Sequence, residues 1–267
     1  MKTISILNLK GGVAKTFTAA NMAYELYRRG YKVLLLDNDK QGNLSKAYGR
    51  YDAESIAPVT RLLSGDWEEP GQLISHTPYE GIDIITSNMS LFGATWSLTK
   101  EEGVNRIGRY KRLEDAAVLG HGWAVIDCLP VREAYDYCII DNPPDIGLNV
   151  INALAVTDEI IVPVKMDNYA LEGLDIVAEQ IEDIKAFNPS VRLAGILITS
   201  YQNTDGERAG VEWLQERGEY NILGIVRYSG KVAESSFLHK PIYEYSPRCA
   251  AAQGYKKFVT DYTGKAR

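Results

Sequence analysis

A short loop near the start of the chain carries the residues most clearly suited to chemistry. The run Lys10–Thr16 follows an apolar segment, Thr3–Leu7, that is typical of a β-strand, and it precedes a segment with helical periodicity. Gly11 and Gly12 let the backbone approach a phosphate chain, and the lysine and hydroxyl at the start of the helix suit a phosphate and Mg²⁺. The loop predicts a nucleotide site. The alternative is that the two glycines only form a tight turn between solvated lysines.

This loop departs from the usual phosphate-loop pattern, GxxxxGK[ST], because Leu9 and Ala14 occupy its two glycine positions. It has instead an additional lysine, Lys10, ahead of Lys15. The run KGGVxKT resembles the deviant Walker A loop of the ParA/MinD family of ATPases. In that family the additional lysine reaches across a dimer to the phosphates of the other subunit, and glycine usually stands where Ala14 is. The resemblance implies that Lys10 and Lys15 are catalytic and that ATP is contacted by Lys10, Gly11, Gly12, Val13, Ala14, Lys15, Thr16 and Phe17.

Two carboxylates follow the second apolar segment. Asp37 and Asp39 come at the end of Leu34–Leu36, which places them at the carboxyl edge of a parallel sheet, where ligands bind. The segment resembles the DxDPQGN element of ParA-type proteins, with Lys40 in place of proline. The resemblance implies that Asp37 lies near Mg²⁺ and that Asp39 orients the attacking water. The alternative for Asp39 is a helix cap, and Lys40 beside it predicts slow hydrolysis.

A third strand supplies a further carboxylate. The apolar run Cys138–Ile140 ends in Asp141 before two prolines, as in a Walker B strand whose carboxylate holds Mg²⁺. A run ending at Asp127 has the same outline, but the surroundings of Asp141 resemble the YDYIIIDxPPxxG region of the family. We therefore predict a metal set of Thr16, Asp37 and Asp141, and an insertion around 120–130 that pairs as an edge strand or covers a surface.

Adenine recognition is predicted after the strand that ends at Thr199. By topology the loop with Gln202 and Asn203 lies where base contacts are expected, and Gln202 is the assigned nucleotide residue. Polar loop residues facing water are an equal alternative. ATP rather than GTP is implied by the resemblance and by the absence of an NKxD run.

Composition limits the remaining possibilities. The chain has 267 residues, a net charge of −6 and three cysteines without metal-ligand spacing, so neither a disulfide framework nor a zinc site is indicated. No apolar run approaches the length of a membrane span, and no signal peptide precedes the first strand, which predicts a cytoplasmic protein. The acidic balance disfavours DNA coating by bulk charge but allows a local basic patch.

Apolar strands alternate with amphipathic helices along the whole chain. This pattern predicts an α/β fold with a doubly wound, mostly parallel sheet covered by helices on both faces, as in P-loop NTPases, and one domain over residues 1–267. Strands are expected at 32–36, 82–86, 137–140, 159–164, 193–199 and 222–226, with helices around 19–26, 169–187 and 255–262. Short passages at 162–164, 170–174, 231–242 and 251–258 extend the family resemblance to the C-terminal end.

The resemblance also implies a function and partners. It implies a homodimer with ATP that binds non-specific DNA, associates with the nucleoid and is stimulated by a centromere-binding ParB-like protein, so that DNA is partitioned. One DNA-contacting arginine of the family matches Lys231, and Arg208 and Arg227 extend a candidate basic patch. For each residue taken singly, the pattern favours a solvated surface charge. The alternatives are a MinD-like membrane switch, for which the C-terminal tail is short and polar, and an ATP-binding regulatory module with little turnover.

Overall fold

A computed structural model describes residues 1–101, 106–119, 128–167 and 170–264 of the chain. In these ranges the strands are β1 (Lys2–Ile6), β2 (Val33–Asp37), β3 (Ile74–His76), β4 (Ile82–Ile85), β5 (Ala117–Leu119), β6 (Cys128–Pro130), β7 (Tyr137–Asp141), β8 (Glu159–Lys165), β9 (Arg192–Tyr201) and β10 (Ile222–Arg227). The helices are α1 (Lys15–Arg28), α2 (Asn43–Ala47), α3 (Pro58–Ser64), α4 (Ser90–Lys100), α5 (Lys111–Asp115), α6 (Val131–Ala134), α7 (Leu148–Leu154), α8 (Ala170–Ile184), α9 (Asp205–Arg217), α10 (Lys231–Phe237), α11 (Ile242–Tyr245) and α12 (Ala250–Thr263).

Eight of these strands form one sheet in the order β10-β9-β8-β1-β7-β2-β4-β3. Strand β3 runs antiparallel to β4 at one edge, and the other neighbouring pairs are parallel. The predicted fold class, a doubly wound and mostly parallel sheet, is confirmed. None of the described helices is long and apolar enough to cross a membrane.

Both faces of the sheet are buried under helices. In β2, Leu35 packs into the layer that contains α1 and α12, whereas Leu34 and Leu36 pack into the opposite layer, which contains α3 and α4. Successive side chains of a strand point to opposite faces, so a strand covered on both sides must be apolar at nearly every position. This explains the near-continuous Leu, Ile and Val runs of the sequence.

The first helix shows how local sequence sets the position of the phosphate loop. Ala19, Met22, Ala23 and Leu26 are fully buried along one face of α1, against the sheet. The chain leaves the helix at Gly30, whose φ of 84° lies in the left-handed region and whose N–H donates to the Tyr27 carbonyl. Because α1 is fixed by this buried face, its N-terminus has one defined place at the carboxyl edge of the sheet.

The structure differs from the sequence prediction in its short elements. The predicted strands are all present, most of them shifted or extended by one or two residues. Edge strand β3 was not predicted. Around the predicted insertion, β6 pairs antiparallel with β5 in a separate two-stranded sheet, while residues 120–127, including Asp127, lie outside the described residues.

Candidate nucleotide-binding site

The phosphate loop connects β1 to α1 through two left-handed residues. Gly12 has a φ of 75°, which glycine adopts readily. Ala14 has a φ of 66° and a ψ of 34°, although its Cβ disfavours this region, and it is the N-cap residue of α1. The position therefore has the backbone conformation that suits a glycine. The alanine does not prevent the loop from forming but places strain at its end.

Both lysines of the loop have partners within the chain. The Lys15 ammonium donates to the Lys10 carbonyl at 2.9 Å, and Lys15 is only 8% exposed. Burial lowers the pKa of Lys15, against the opposing effect of the nearby Asp141, Asp39 and Asp145 charges. The Lys10 ammonium forms an ion pair with Asp167, just beyond β8. No sequence motif marks Asp167, so the residue that holds the additional lysine was missed by the sequence prediction.

Asp141 has the environment expected of a metal ligand. It is 1% exposed, and neither carboxylate oxygen has a hydrogen-bond partner among the residues that the structure describes. Burial raises its pKa well above the usual range, and the neighbouring Asp37 charge adds to this, while the Thr16 hydroxyl and the Lys15 charge act in the opposite direction. Buried, unpartnered carboxylate oxygens beside a hydroxyl suit a hard divalent cation. Asp141 and Thr16 thus fit Mg²⁺.

Asp37 is a poorer fit than predicted, although it lies opposite Asp141 in the β2–β7 register. Its Oδ2 accepts hydrogen bonds from the Ser45 N–H at 2.8 Å and from the Ser45 hydroxyl at 2.7 Å, and its Oδ1 accepts from the Asp39 N–H at 3.3 Å. These bonds tie β2 to helix α2. Asp37 therefore anchors the loop that follows it and adds negative charge beside Asp141, and its place in the metal set stays a prediction.

Asp39 and Lys40, which follow Asp37 in the chain, have different surroundings. Asp39 lines a cavity of about 470 Å³ together with Lys15 and Thr16, and its Oδ1 accepts a hydrogen bond from the Gln41 N–H rather than from the N-terminus of a helix. The Lys40 ammonium lies 3.8 Å from Asp145 and 5.7 Å from the centre of the Phe92 ring. The Lys40 ammonium is thus paired with another acid, Asp145.

A second cavity, of about 210 Å³, opens on the other side of the loop. Ala14, Phe17, Thr199 and Ser200 line it, and the Phe17 ring lies 5.6 Å from that of Tyr255. Its position at the ends of β9 and β10 is the one that topology predicted for the base. Gln202 is exposed and does not line either cavity, so the structure places the predicted base contact outside the pocket. The sequence predicts Tyr255 only as a residue of the last helix and not as a neighbour of this cavity.

Comparison with known proteins adds to this geometry. The family described as AAA domain matches residues 1–193. The sporulation initiation inhibitor protein Soj of Bacillus subtilis is 32% identical over 259 residues, covering 95% of each chain. The chain belongs to the ParA/MinD superfamily of ATPases. The chromosome partitioning protein ParA of Caulobacter vibrioides is 27% identical over 270 residues, which cover 100% of this chain and 96% of that protein.

A solved structure in the same superfamily shares the fold at similar coverage. The cobyrinic acid a,c-diamide synthase of Mycobacterium smegmatis, determined with a bound ATP analogue and magnesium, superimposes with a TM-score of 0.76 at 25% identity, over 99% of this chain and 96% of that one. The ParA/MinD resemblance seen in the sequence is thereby confirmed as a family assignment.

The candidate DNA residues of this ParA/MinD protein are exposed but not clustered in one element. Lys231 begins α10 and pairs with Glu234 at 2.8 Å; Arg208 on α9 pairs with Asp205. Arg227, at the end of β10, borders the second cavity. Exposed ion pairs of this kind contribute little and exchange readily for phosphate contacts. The three residues are exposed, and part of the charge of Lys231 and Arg208 is offset locally.

Helix α12, the last described element, packs inside the fold. Its apolar residues Ala252, Tyr255, Phe258 and Val259 are buried, mainly against β10 and α1, and the Tyr255 hydroxyl lies 3.0 Å from the Thr18 hydroxyl. A membrane-binding helix must present its apolar face to lipid. The apolar face of α12 is already used within the chain.

Proposed function

We propose that the protein is an ATP-dependent DNA partition ATPase. One observation carries the proposal: a buried Asp141 carboxylate without hydrogen-bond partners among the described residues lies beside a loop that offers Lys15, Thr16 and an additional lysine, Lys10. This combination offers a cation site, phosphate contacts and an additional lysine, as an ATPase of this superfamily requires. ATP and Mg²⁺ are the cofactors, in keeping with the bound groups of the synthase structure.

Each residue of the site has its own role in the proposed ATP hydrolysis. Lys15 exchanges its bond to the Lys10 carbonyl for the phosphates, and Thr16 and Asp141 would hold Mg²⁺, which would supply positive charge to the phosphate oxygens. Asp39, which lines the same cavity, holds the attacking water in line. The second cavity receives the base against Phe17.

The proposal assigns Lys10 a role in dimerisation. In this proposal ATP closes two subunits face to face, and each Lys10 leaves Asp167 for the phosphates of the other subunit. The closed homodimer duplicates the surface with Lys231, Arg227 and Arg208 and so binds non-specific DNA; hydrolysis separates the subunits. A centromere-binding, ParB-like protein is the proposed stimulating partner, and the cytoplasmic nucleoid the proposed location.

The first test is dimerisation. With a non-hydrolysable ATP analogue and Mg²⁺, light scattering is expected to show a dimer for the wild type and a monomer for Lys10→Ala. Lys185→Ala is the matched control, because Lys185 is also an exposed lysine paired with an acid but lies outside the cavity. Lys10→Ala is expected to retain analogue binding as a monomer. A Lys10→Ala protein that dimerises like the control contradicts the cross-subunit role.

The second test is DNA binding. Fluorescence anisotropy with random-sequence duplex DNA is expected to show salt-sensitive binding with ATP and little with ADP. Lys231→Ala should lower the log–log salt slope by about two per dimer, since each subunit loses about one phosphate contact. Lys257→Ala is the control because Lys257 is also an exposed lysine paired with an acid one helical turn away. Equal binding in both nucleotide states would favour the alternative of a regulatory module.

A further inference from the structure

The two strands that carry the site carboxylates end in buried asparagines. Asn38 comes directly after Asp37, the last residue of β2, and Asn142 comes directly after Asp141, the last residue of β7. The exposed fractions of Asn38 and Asn142 are 0% and 1%. Asn38 also directly precedes Asp39, the proposed water-holding residue. These two amides therefore lie next to the functional carboxylates Asp39 and Asp141 in the chain.

The amides are joined to each other and to a tyrosine from the outer layer. Asn38 donates through Nδ2 to the Asn142 Oδ1 at 2.8 Å, and the Tyr110 hydroxyl donates to the Asn38 Oδ1 at 2.9 Å. Asn142 donates through Nδ2 to the Ile6 carbonyl at 3.3 Å, at the end of the strand that leads into the phosphate loop. Burial raises the pKa of the Tyr110 phenol, which therefore remains a donor. We call Asn38, Asn142 and Tyr110 the asparagine network.

The backbone is fixed at the same points. The Asn38 N–H donates to the Asp141 carbonyl at 2.9 Å, and Asn149 of α7 donates through Nδ2 to the Asn38 carbonyl at 2.9 Å. Asn152, also in α7, accepts from the Arg109 N–H at 2.8 Å and so holds the segment that carries Tyr110. The network thus connects β1, β2 and β7 to the layer formed by α5 and α7.

A polar network is not needed to fill this space. Leucine has the same number of side-chain heavy atoms and the same branching as asparagine, and replacing both members of a buried polar pair by apolar groups of similar shape is often nearly neutral for stability. Amide and hydroxyl bonds, unlike apolar contacts, are directional and fix distance and orientation. In phosphoryl transfer, a misplacement of about 1 Å lowers the rate by about 100-fold, so this directional restraint has a functional use.

We propose that the asparagine network is a positioning device that fixes Asp39 and Asp141 relative to each other and to the phosphate loop. The inference rests on the proposed ATPase function, because it assigns Asp39 and Asp141 their roles. The network residues touch neither phosphate nor metal in this account; they act through the backbone of the two strand ends.

The test compares two buried tyrosines that each lose one hydroxyl. Tyr110→Phe removes the bond to Asn38, and Tyr135→Phe removes a similar bond, from the Tyr135 hydroxyl to Asp83 at 2.6 Å, in the same layer but away from the site. Both variants are expected to lower the melting temperature by about 2–4 °C, the shift for one lost bond in a chain of this size. Only Tyr110→Phe is expected to lower kcat, by about tenfold, with little change in KM.

A second measurement does not depend on turnover. Binding of a fluorescent ATP analogue is compared in Mg²⁺ and in EDTA, and Tyr110→Phe is expected to weaken binding severalfold in Mg²⁺ only. If the wild type binds ATP but does not hydrolyse it, the proposed ATPase is wrong, and this Mg²⁺ dependence still reports on the network. Equal kcat and equal Mg²⁺ dependence in Tyr110→Phe and Tyr135→Phe would refute the proposal and leave the network a stability feature.

An apolar replacement separates positioning from folding. The triple variant Asn38→Leu/Asn142→Leu/Tyr110→Phe removes every hydroxyl and amide of the network, so no member is left with an unpaired buried group. It is expected to unfold within a few degrees of the wild type and to lose at least tenfold in kcat. A triple variant with wild-type kcat and wild-type Mg²⁺ dependence would overturn the proposal.

Discussion

Replacement of Ala14 by glycine should stabilise the protein. Ala14 is held at a φ of 66°, where an L-residue with a Cβ carries a strain of about 1–2 kcal/mol. Ala14→Gly relieves this strain, but the unfolded glycine chain gains conformational freedom that offsets about 0.5–1 kcal/mol. The balance is a stabilisation of about 0.5–1 kcal/mol, or an increase in melting temperature of about 1–3 °C.

Thermal unfolding without nucleotide is the assay, and Gly12→Ala is the inverse variant. Gly12 has a φ of 75°, and no atom lies within 4 Å of the position its Cβ would occupy, so only backbone strain opposes the alanine. Gly12→Ala should therefore destabilise by about as much as Ala14→Gly stabilises. A melting temperature for Ala14→Gly at or below that of the wild type would refute the assignment of strain to Ala14.

Further predictions concern the carboxylates of the chain. Asp141→Asn should abolish stabilisation by Mg²⁺ with ATP in thermal unfolding, because it removes the buried carboxylate that is proposed to hold the ion. Asp39→Asn should bind the ATP analogue and dimerise but hydrolyse ATP at least 100-fold more slowly; hydrolysis at the wild-type rate would remove its assigned role. Asp167→Asn should remove the ion pair with Lys10 and lower the protein concentration at which the analogue gives a dimer in light scattering. At Glu159, burial alone would raise the pKa, but hydrogen bonds from Tyr262 and Lys2 and the Lys2 and Arg192 charges outweigh it and lower the pKa. Its stabilising contribution is therefore complete above the unfolded pKa of about 4.3 and lost as the pH falls through the folded value, and Glu159→Gln should flatten acid unfolding in this range.

The fold and the phosphate site were largely predictable, because both depend on local patterns. Apolar runs determine the buried strands, and the glycine–lysine loop needs only a strand before it and a helix after it. Edge strand β3 was missed because three half-exposed residues, Ile74–His76, carry too little periodicity. The choice of Asp141 depended on its flanking residues, and its place in the central β7 strand agrees with that choice.

Side-chain partners that come from distant segments could not be predicted. Asp167 reaches Lys10 across 157 residues of sequence, and Tyr110 reaches Asn38 across 72. Neither contact follows from a motif, because each depends on the strand order and on the path of irregular segments. The bonds of Asp37 to Ser45 could not be predicted for the same reason: they depend on how tightly the chain turns after β2.

The hydrogen bond from the Lys15 ammonium to the Lys10 carbonyl makes the nucleotide-free loop a self-inhibited state. Lys15 exchanges an existing partner for phosphate and does not gain one, so the net affinity for ATP is smaller than the sum of the new contacts. The same backbone carbonyl belongs to the residue whose ammonium is held by Asp167. Lys10 is thus held within the chain at two points, its carbonyl by Lys15 and its ammonium by Asp167, and in the proposed dimer both contacts must be exchanged as nucleotide binds and the subunits assemble.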